Sequence, residues 1–407
     1  MLTVCLVAGL LLAACQTSDR LRRDYLERMR PLLPAPERPV IVIPGFGVSR
    51  LRDPVLDQWV WGTPRTTVIT SYEEDLDLSS GGSGAISRDR LEPSGFVGSR
   101  GPVNTAWQLA IALQKYGGYT IARWSEGGTE PPTAYLFEHD WRLSAIDTAE
   151  RLDELVETVR REHRNPELQV DLLTHSAGSN VALAYLHQFP GASAKVGSLV
   201  MVAPPRRGTL EAFKLLVRGE QVIRRRFDPV MAATWPSVFE VLPHDPIMLI
   251  HPDGRKEEAD LHDPEIWRDL EIGLFDPATR MLFEHEQDWS KRIDSFEREL
   301  DRAESFRRMM LTPVPSGVKV LTVLGDCVPT VDRLLVRSDR SFVFYPDELL
   351  PEERDLLSEL FAPGDGTVAA SSATPLDGED ELILCSGHQG LATDPATHRA
   401  IIRALLE

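Results

Sequence analysis

The chain has 407 residues, of which 42% are hydrophobic and 26% are charged, and this composition is typical of one large or two medium globular domains. Its formal net charge is -18, so no nucleic-acid partner is expected, because phosphate binding needs clustered lysine and arginine side chains. No cofactor and no metal are expected either, since the histidine-containing stretches lack the paired spacing of zinc ligands.

The first 15 residues resemble a bacterial secretory signal. MLTVCLVAGLLLAAC is too short to span a bilayer and ends in small residues. Its last four residues resemble a lipobox, in which the cysteine, here Cys15, becomes the acylated N-terminus. We therefore expect a lipoprotein signal peptide at 1–15, a charged and proline-rich tether at 16–38, and membrane attachment through acyl chains. The alternatives are a buried N-terminal helix and, because no basic residue precedes the apolar run, a start further upstream.

From Pro39 onward, short apolar runs alternate with amphipathic ones. Apolar runs typical of strands buried on both faces of a parallel sheet are PVIVIPGFG, TAYLFEHDW, LQVDLLTHS, VGSLVMVAPP, VKVLTVLGD and ELILCSG. Between them, DTAERLDELVETVRREH has apolar residues at helical spacing. The alternation predicts one α/β domain over 39–407 with a mostly parallel, doubly wound sheet. Two segments, about 48–104 and 208–313, interrupt it and are interpreted as insertions at the carboxyl edge of the sheet.

The stretch VDLLTHSAGSNVALAYL places Ser176 on a sharp turn between a predicted strand and a predicted helix. Such a turn presents the hydroxyl above the sheet edge and requires small neighbours. Gly178 meets that requirement, whereas Thr174 stands where glycine is common, so THSAG is an imperfect G-x-S-x-G. Because a serine hydroxyl needs a base that is oriented by an acid, Ser176 is a candidate nucleophile that requires two partners.

Both partners occur in the chain order found in α/β hydrolases, where the acid and then the histidine follow the serine. Asp365 lies on the glycine-flanked turn PGDG, and His388 follows the last predicted strand. Asp326, directly after VLTVLG, is the alternative acid. The oxyanion hole is expected from the backbone N–H groups of Ala177 and Phe46, the latter in the glycine-rich loop after the first strand.

Two cysteines lie at the carboxyl ends of apolar runs. Cys327 follows VKVLTVLGD, and Cys385 ends ELILC. An exported compartment permits a disulfide. We therefore expect the two cysteines to be paired.

Seven motifs together are similar to those of the lecithin:cholesterol acyltransferase and lysosomal phospholipase family of α/β hydrolases. The likeness covers nearly all of the chain from Pro39 onward and implies Ser176 as nucleophile, Asp365 as acid and His388 as base. The motifs are PVIVIPGFGVSRL, WVWG, AYLFEHDWRLS, VDLLTHSAGSN, VAPPRRGT, PGDGTVAASS and GHQGL.

The same resemblance implies roles for the two insertions. Segment 48–104, with Trp59 and Trp61, is expected to be a lid that contacts the membrane, and segment 208–313 is expected to be a cap with an acyl-chain track. Core packing is the alternative for both tryptophans. The chain departs from the family in its first insertion, which lacks the cysteine pair that staples the lid in some members.

The sequence thus predicts a membrane-anchored serine hydrolase that cleaves carboxylic esters of lipids through an acyl-enzyme, as phospholipases and acyltransferases do. Water or an alcohol then takes the acyl group. The alternatives are a general esterase or neutral lipase and, from another class, a non-catalytic lipoprotein that serves as a binding scaffold. Gln16 after the acylated cysteine favours the outer membrane of a Gram-negative cell, on its periplasmic or surface face.

Overall fold

The computed structural model describes residues 36–63, 65–66, 76–78, 91–97, 105–123, 131–222 and 225–407. The predicted signal peptide, Cys15 and nearly all of the predicted tether lie outside the described residues, as does much of segment 48–104.

A seven-stranded sheet forms the centre of the chain, and every neighbouring pair of its strands is parallel. The strand order is β7-β6-β5-β4-β1-β3-β2. Its strands are β1 (Val40–Ile43), β2 (Ile121–Arg123), β3 (Ala134–Leu136), β4 (Val170–His175), β5 (Val196–Val202), β6 (Lys319–Gly325) and β7 (Asp380–Leu384).

Helices cover both faces of this sheet. Buried residues of α2 and α3 and the end of α4 form an apolar core on one face, and buried residues of α1 and α6 form another core on the opposite face. The helices are α1 (Thr105–Gly117), α2 (Ala145–Glu162), α3 (Gly178–Gln188), α4 (Glu286–Met310), α5 (His388–Leu391) and α6 (Pro395–Leu406).

The predicted α/β fold is therefore confirmed, since a parallel sheet lies between two helical layers. Each of the six apolar runs supplies a central strand. The edge strand β2 was not predicted, because its three residues, Ile121–Arg123, are too few to show a periodicity.

A further apolar core gathers residues from outside the central sheet, namely Trp141 and described residues within 51–91, 210–303 and 331–361. Small sheets build this layer. They are Ser49–Asp53 with Gln58–Trp61 and Glu92–Phe96; Glu220–Val222 with Arg225–Phe227; Ile247–Ile250 with Lys256–Ala259 and Leu334–Leu335; and Val328–Val331 with Phe361–Gly364.

Short helices complete this layer and the loops around the sheet. The α-helical ones are Ala192–Lys195, Leu210–Val217, Pro229–Ala232, Pro236–Phe239, Pro264–Asp269, Pro277–Arg280, Leu357–Leu360 and Ala370–Ala373. The 3-10 helices are Gly273–Phe275, Pro346–Glu348 and Pro351–Leu356. In the described part of the chain, no helix combines the length and apolar character that crossing a membrane requires.

Candidate active site

Ser176 lies in a strained turn between β4 and α3. Its φ is 54°, a left-handed conformation that non-glycine residues rarely adopt. The Ser176 N–H donates to the carbonyl of Val202 at 2.9 Å, which ties the turn to the end of β5. A Cβ at Gly178 would lie 2.5 Å from the carbonyl oxygens of Ile43 and Pro44. The start of α3 therefore approaches the end of β1 more closely than a side chain permits, which explains the glycine two residues after the serine.

Thr174 occupies the position where glycine is common in such turns. Its side chain is buried, with Oγ1 2.7 Å from Oγ of Ser179 and 3.4 Å from the carbonyl oxygen of Val200. The hydroxyl thus has partners in the interior, and a buried polar group with partners carries little penalty. The departure from glycine is accommodated at this turn.

Hydrogen bonds connect Ser176, His388 and Asp365 in the arrangement of a catalytic triad. Nε2 of His388 lies 2.9 Å from Oγ of Ser176, and Nδ1 lies 2.8 Å from Oδ2 of Asp365. Asp365 follows the strand Phe361–Gly364, and His388 begins α5. A nucleophile, a base and an orienting acid at these distances are the arrangement that activates a serine hydroxyl.

The surroundings of Asp365 keep its carboxyl group ionised. Its Oδ1 accepts the backbone N–H groups of Thr367 and Val368 at 2.9 and 2.7 Å. Burial opposes ionisation, but His388 and these N–H groups outweigh it and hold the pKa of Asp365 below its ordinary value. The carboxylate therefore accepts from Nδ1–H of His388, which leaves Nε2 unprotonated and facing Ser176.

The alternative acid, Asp326, lies elsewhere. Its side chain is exposed, and the hydrogen bonds found among the described residues include none between its carboxylate and His388. The imidazole of His388 contacts Asp365 instead.

The two backbone groups predicted for the oxyanion hole flank the serine. A Cβ at Gly45 would lie only 2.8 Å from Cβ of Ser176, so the loop that carries Phe46 closely approaches the turn that carries Ala177. Within the described residues, neither the Phe46 nor the Ala177 N–H donates to a protein acceptor. Both are thus free to donate to a developing oxyanion.

A cavity of about 20 Å³ lies beside Phe46 and Ala177 and is lined in part by Glu240. The carboxyl group of Glu240 accepts the N–H of Ala145 at 2.8 Å and contacts the hydroxyl of Ser144. Burial raises the pKa of Glu240 to about 8, although these two groups act to lower it. A neutral carboxyl group therefore lies at the start of α2, next to the oxyanion loop.

A cluster of five aromatic rings includes Phe46 of the oxyanion loop. The ring centroids of Phe46 and Trp141 are 4.5 Å apart, those of Trp61 and Phe227 are 5.1 Å apart, and those of Trp141 and Trp235 are 5.2 Å apart. These rings come from the first loop, from both inserted segments and from the DWRLS motif. The oxyanion loop is therefore held in place by contacts that are distant in sequence.

The two tryptophans assigned to the lid occupy different environments. Trp61 is only 4% exposed, lies in this aromatic cluster and donates its indole N–H to the carbonyl of Gly47 at 2.8 Å. Trp59 is partly exposed and lies 4.4 Å beneath the guanidinium of Arg50. Trp61 thus packs inside the protein in this structure, and the lid role of both residues stays a prediction.

Cys327 and Cys385 form a disulfide in the structure. Cys385 directly follows β7 and Cys327 lies just beyond β6, and these strands pair in parallel at the edge of the sheet. The bond therefore joins the two chain segments that lead towards Asp365 and His388.

Sequence reasoning missed two residues beside the catalytic triad. Neither His175 nor Thr105 was assigned a role from the sequence. In the structure, His175 contacts both Thr105 and the backbone of His388. The LTHS stretch gave no signal for this contact, because the partners lie 70 and 213 residues away.

The parallel sheet with helices on both faces and the serine turn after β4 define an α/β-hydrolase fold. The model of the lecithin:cholesterol acyltransferase family matches residues 126–248, which hold the DWRLS motif and the serine turn. This match confirms the resemblance to that family. A search of curated proteins gives no match.

One solved structure with a TM-score above 0.5 supports the fold. A chain of the Tle4–Tli4 complex has a TM-score of 0.64 at 16% identity, with 91% of this chain and 98% of that chain covered. The mature lipase BlEst2 from Bacillus licheniformis has a TM-score of 0.39 at 12% identity, with 92% and 94% covered. The phospholipase PlaB from Legionella pneumophila has a TM-score of 0.38 at 14% identity, with 92% and 60% covered. Because the identity to the chain of the Tle4–Tli4 complex is 16%, that similarity shows a common fold alone.

Proposed function

We propose that this protein is a lipid-anchored serine hydrolase, exported to a bacterial membrane, that cleaves carboxylic esters of lipids through an acyl-enzyme. The observation that carries the proposal is the line of hydrogen bonds from Ser176 through His388 to Asp365. The family match and the lipases and phospholipases among proteins of similar fold favour lipid esters over other substrates.

In the first half of the reaction, Nε2 of His388 takes the hydroxyl proton of Ser176 as Oγ attacks the ester carbonyl. The carbonyl oxygen becomes an oxyanion that accepts the N–H groups of Phe46 and Ala177, and each such donor contributes about 2.7–4 kcal/mol to transition-state stabilisation. Asp365 stabilises the imidazolium that forms. The carbon–oxygen bond of the ester then breaks, and the departing alcohol takes the proton from Nε2 of His388.

In the second half, His388 takes a proton from the acceptor, which is water in hydrolysis or an alcohol in acyl transfer. The acceptor oxygen attacks the acyl carbon of the acyl-enzyme, and the same two N–H groups bind the oxyanion. The bond between the acyl carbon and Oγ of Ser176 then breaks, and the proton passes from Nε2 of His388 to Oγ. Phospholipase and acyltransferase activity therefore differ only in the acceptor, and the same residues serve both.

The substrate class is tested with the full-length protein in detergent micelles that contain phospholipids of varied head group and chain length, beside the Ser176→Ala variant. We expect release of fatty acid from long-chain phospholipid by the parent alone, and an acyl ester of any added alcohol that serves as acceptor. Equal turnover of short soluble esters without phospholipid cleavage would favour a general esterase or neutral lipase. No turnover of any ester would favour the binding scaffold.

The membrane anchor is a separate part of the proposal and rests on the sequence LAAC that ends at Cys15. Cells that express the parent or the Cys15→Ser variant are fed labelled palmitate, and their membranes are separated. We expect label and membrane association in the parent and loss of both in the variant. Equal labelling of the two would overturn the anchor and leave the hydrolase proposal unaffected.

A further inference from the structure

We propose that His175 and Thr105 are positioning residues that fix the backbone of the base His388 relative to the nucleophile. The inference rests on the proposed function, because it assigns a role to residues that contact the catalytic triad or its neighbours without contacting substrate. The evidence for it is two contacts made by the imidazole of His175. Nε2 of His175 lies 3.2 Å from the carbonyl oxygen of His388, and Nδ1 lies 3.1 Å from Oγ1 of Thr105.

The carbonyl of His388 needs a partner from outside its own helix. Helix α5 is a single turn, His388–Leu391, and the N–H of Ala392, which would bond this carbonyl in a longer helix, donates to Gly390 instead. The imidazole of His175 supplies that partner. Since the N–H of His388 donates to the carbonyl of Asp365 at 2.8 Å, both backbone polar groups of the base are fixed.

The direction of these hydrogen bonds follows from the chemistry of the groups. A carbonyl oxygen only accepts, so Nε2 of His175 carries the hydrogen and donates to His388. The imidazole is neutral, since burial and the nearby His388 lower its pKa to about 3, and its Nδ1 is therefore an acceptor. The hydroxyl of Thr105 donates to Nδ1, which stabilises the tautomer that bonds the carbonyl of His388.

These contacts are well placed to fix the position of the base relative to the nucleophile. His175 and Thr105 are 3% and 2% exposed, so water does not compete for their hydrogen bonds. The His175 and His388 rings lie 5.0 Å apart between centroids. Because His175 precedes Ser176 in the chain, one residue connects the turn that carries the nucleophile to the loop that carries the base. A change in this connection alters the distance between Oγ of Ser176 and Nε2 of His388.

Two substitutions of His175 test the proposal in the full-length protein. His175→Leu fills the space but removes both hydrogen bonds, whereas His175→Gln keeps an N–H near the position of Nε2. The readouts are the rate of covalent labelling by a fluorophosphonate and the separate values of kcat and KM for a phospholipid. We expect His175→Leu to lower the labelling rate and kcat by about 10- to 100-fold with KM nearly unchanged, and His175→Gln to restore most of the rate.

The matched control is His244→Leu. His244 is also 3% exposed, and its Nε2 lies 3.3 Å from a backbone carbonyl, that of Glu240, which has no part in the proposed chemistry. The control is expected to lose stability but to be labelled as fast as the parent. It separates a general effect of removing a buried histidine from an effect on the base.

A second pair of variants applies if His175→Leu does not fold. Thr105→Val removes the hydroxyl that donates to Nδ1 and is expected to slow labelling about threefold to tenfold, whereas Thr105→Ser restores it. The proposal is overturned if His175→Leu is labelled as fast as the parent, if His175→Gln is as slow as His175→Leu, or if Thr105→Val matches the parent. A parent that is not labelled at all would instead overturn the proposed function.

Discussion

At the scale of single residues, the chemistry depends on a carboxylate that is buried and yet ionised. Asp365 is 4% exposed, and its two oxygens have different partners, since Oδ1 accepts backbone N–H groups and Oδ2 accepts the imidazole of His388. The backbone bonds hold the carboxylate in place, and the imidazole bond fixes the tautomer of the base. An acid that only neutralised the charge of the imidazolium would not need separate partners for its two oxygens.

The Asp365→Asn variant tests this division. The amide removes the charge and can present an N–H to Nδ1, which favours the tautomer of His388 with its hydrogen on Nε2 and so blocks proton transfer from Ser176. We expect kcat/KM to fall about 10³- to 10⁴-fold, as measured on any ester that the parent cleaves, with the folded structure retained. Asp326→Asn is the control and should stay within about twofold of the parent. A loss of less than tenfold in Asp365→Asn would contradict the assignment.

Gly45 tests how closely the oxyanion loop must approach the serine. A Cβ at this position would lie 2.8 Å from Cβ of Ser176 and 3.1 Å from the carbonyl oxygen of His175, so Gly45→Ala must displace the loop or the turn. We expect a loss of about 10²-fold in kcat with circular dichroism unchanged. Gly387→Ala, whose Cβ would meet nothing nearer than 3.6 Å, is the control that should keep its activity. Equal activities of the two variants would refute the close approach.

At the scale of elements, the central strands show how much the sequence predicts. Strands such as Val196–Val202 are buried at every position, so a continuous apolar run identified them, and the turn after Val170–His175 identified Ser176. The carboxyl ends of parallel strands meet at one edge, which is why His388 could be predicted from its place after the last strand. Asp365 follows a strand of a small antiparallel sheet and was predicted from chain order and the glycine-flanked turn PGDG. These predictions depend on local pattern and on one topological rule.

The parts that were not predicted depend on contacts between distant elements. The parallel pairing of Leu334–Leu335 with Ile247–Ile250 leaves no periodic signal in two residues. Likewise, the rings of Trp61 and Trp235 belong to one cluster only because two inserted segments fold over the same loop. The contact of His175 with His388 is of the same kind, because neither local sequence shows it.

Glu240, whose carboxyl group contacts the start of α2, predicts a dependence of stability on pH. The pKa of Glu240 is about 8 in the folded protein against an ordinary value of 4.5. Between these pH values the folded state binds more protons than the unfolded state, so the contribution to stability is fully present below pH 4.5 and is lost as the pH rises through 8. We expect the contribution of Glu240 to the free energy of unfolding, measured by urea denaturation as the difference between the parent and Glu240→Gln, to fall by about 1 kcal/mol per pH unit across this window.

The variant Glu240→Gln isolates that contribution, because the amide still accepts the N–H of Ala145 but does not titrate. Its free energy of unfolding should lack the Glu240 component of the slope between pH 4.5 and 8. Parallel curves for the parent and Glu240→Gln would show that Glu240 titrates normally.

At the scale of the whole molecule, the disulfide joins the edge of the sheet near the catalytic loops. The bond between Cys327 and Cys385 closes a segment with a separation of 58 residues, and such a link stabilises mainly by restricting the unfolded chain. We expect the double variant Cys327→Ser, Cys385→Ser to lose about 2–4 kcal/mol of unfolding free energy, as measured in denaturant. Unchanged stability, or alkylation of Cys327 or Cys385 in the untreated parent, would contradict this expectation.

The fold as a whole has a rigid parallel sheet that presents Ser176 and His388 at its carboxyl edge, and a separate layer of inserted segments that packs over the oxyanion loop. Catalytic groups on strand ends and substrate contacts on inserted segments are a common division in α/β enzymes. We expect this edge to activate one serine, Ser176.

The most direct test is covalent labelling of the full-length protein in detergent with a fluorophosphonate, read by mass spectrometry beside Ser176→Ala. A fluorophosphonate reacts with a serine only where a base and an oxyanion hole activate it. We expect one added phosphonyl group, on Ser176, in the parent and none in the variant. An unlabelled parent, or equal labelling of parent and variant, would contradict it.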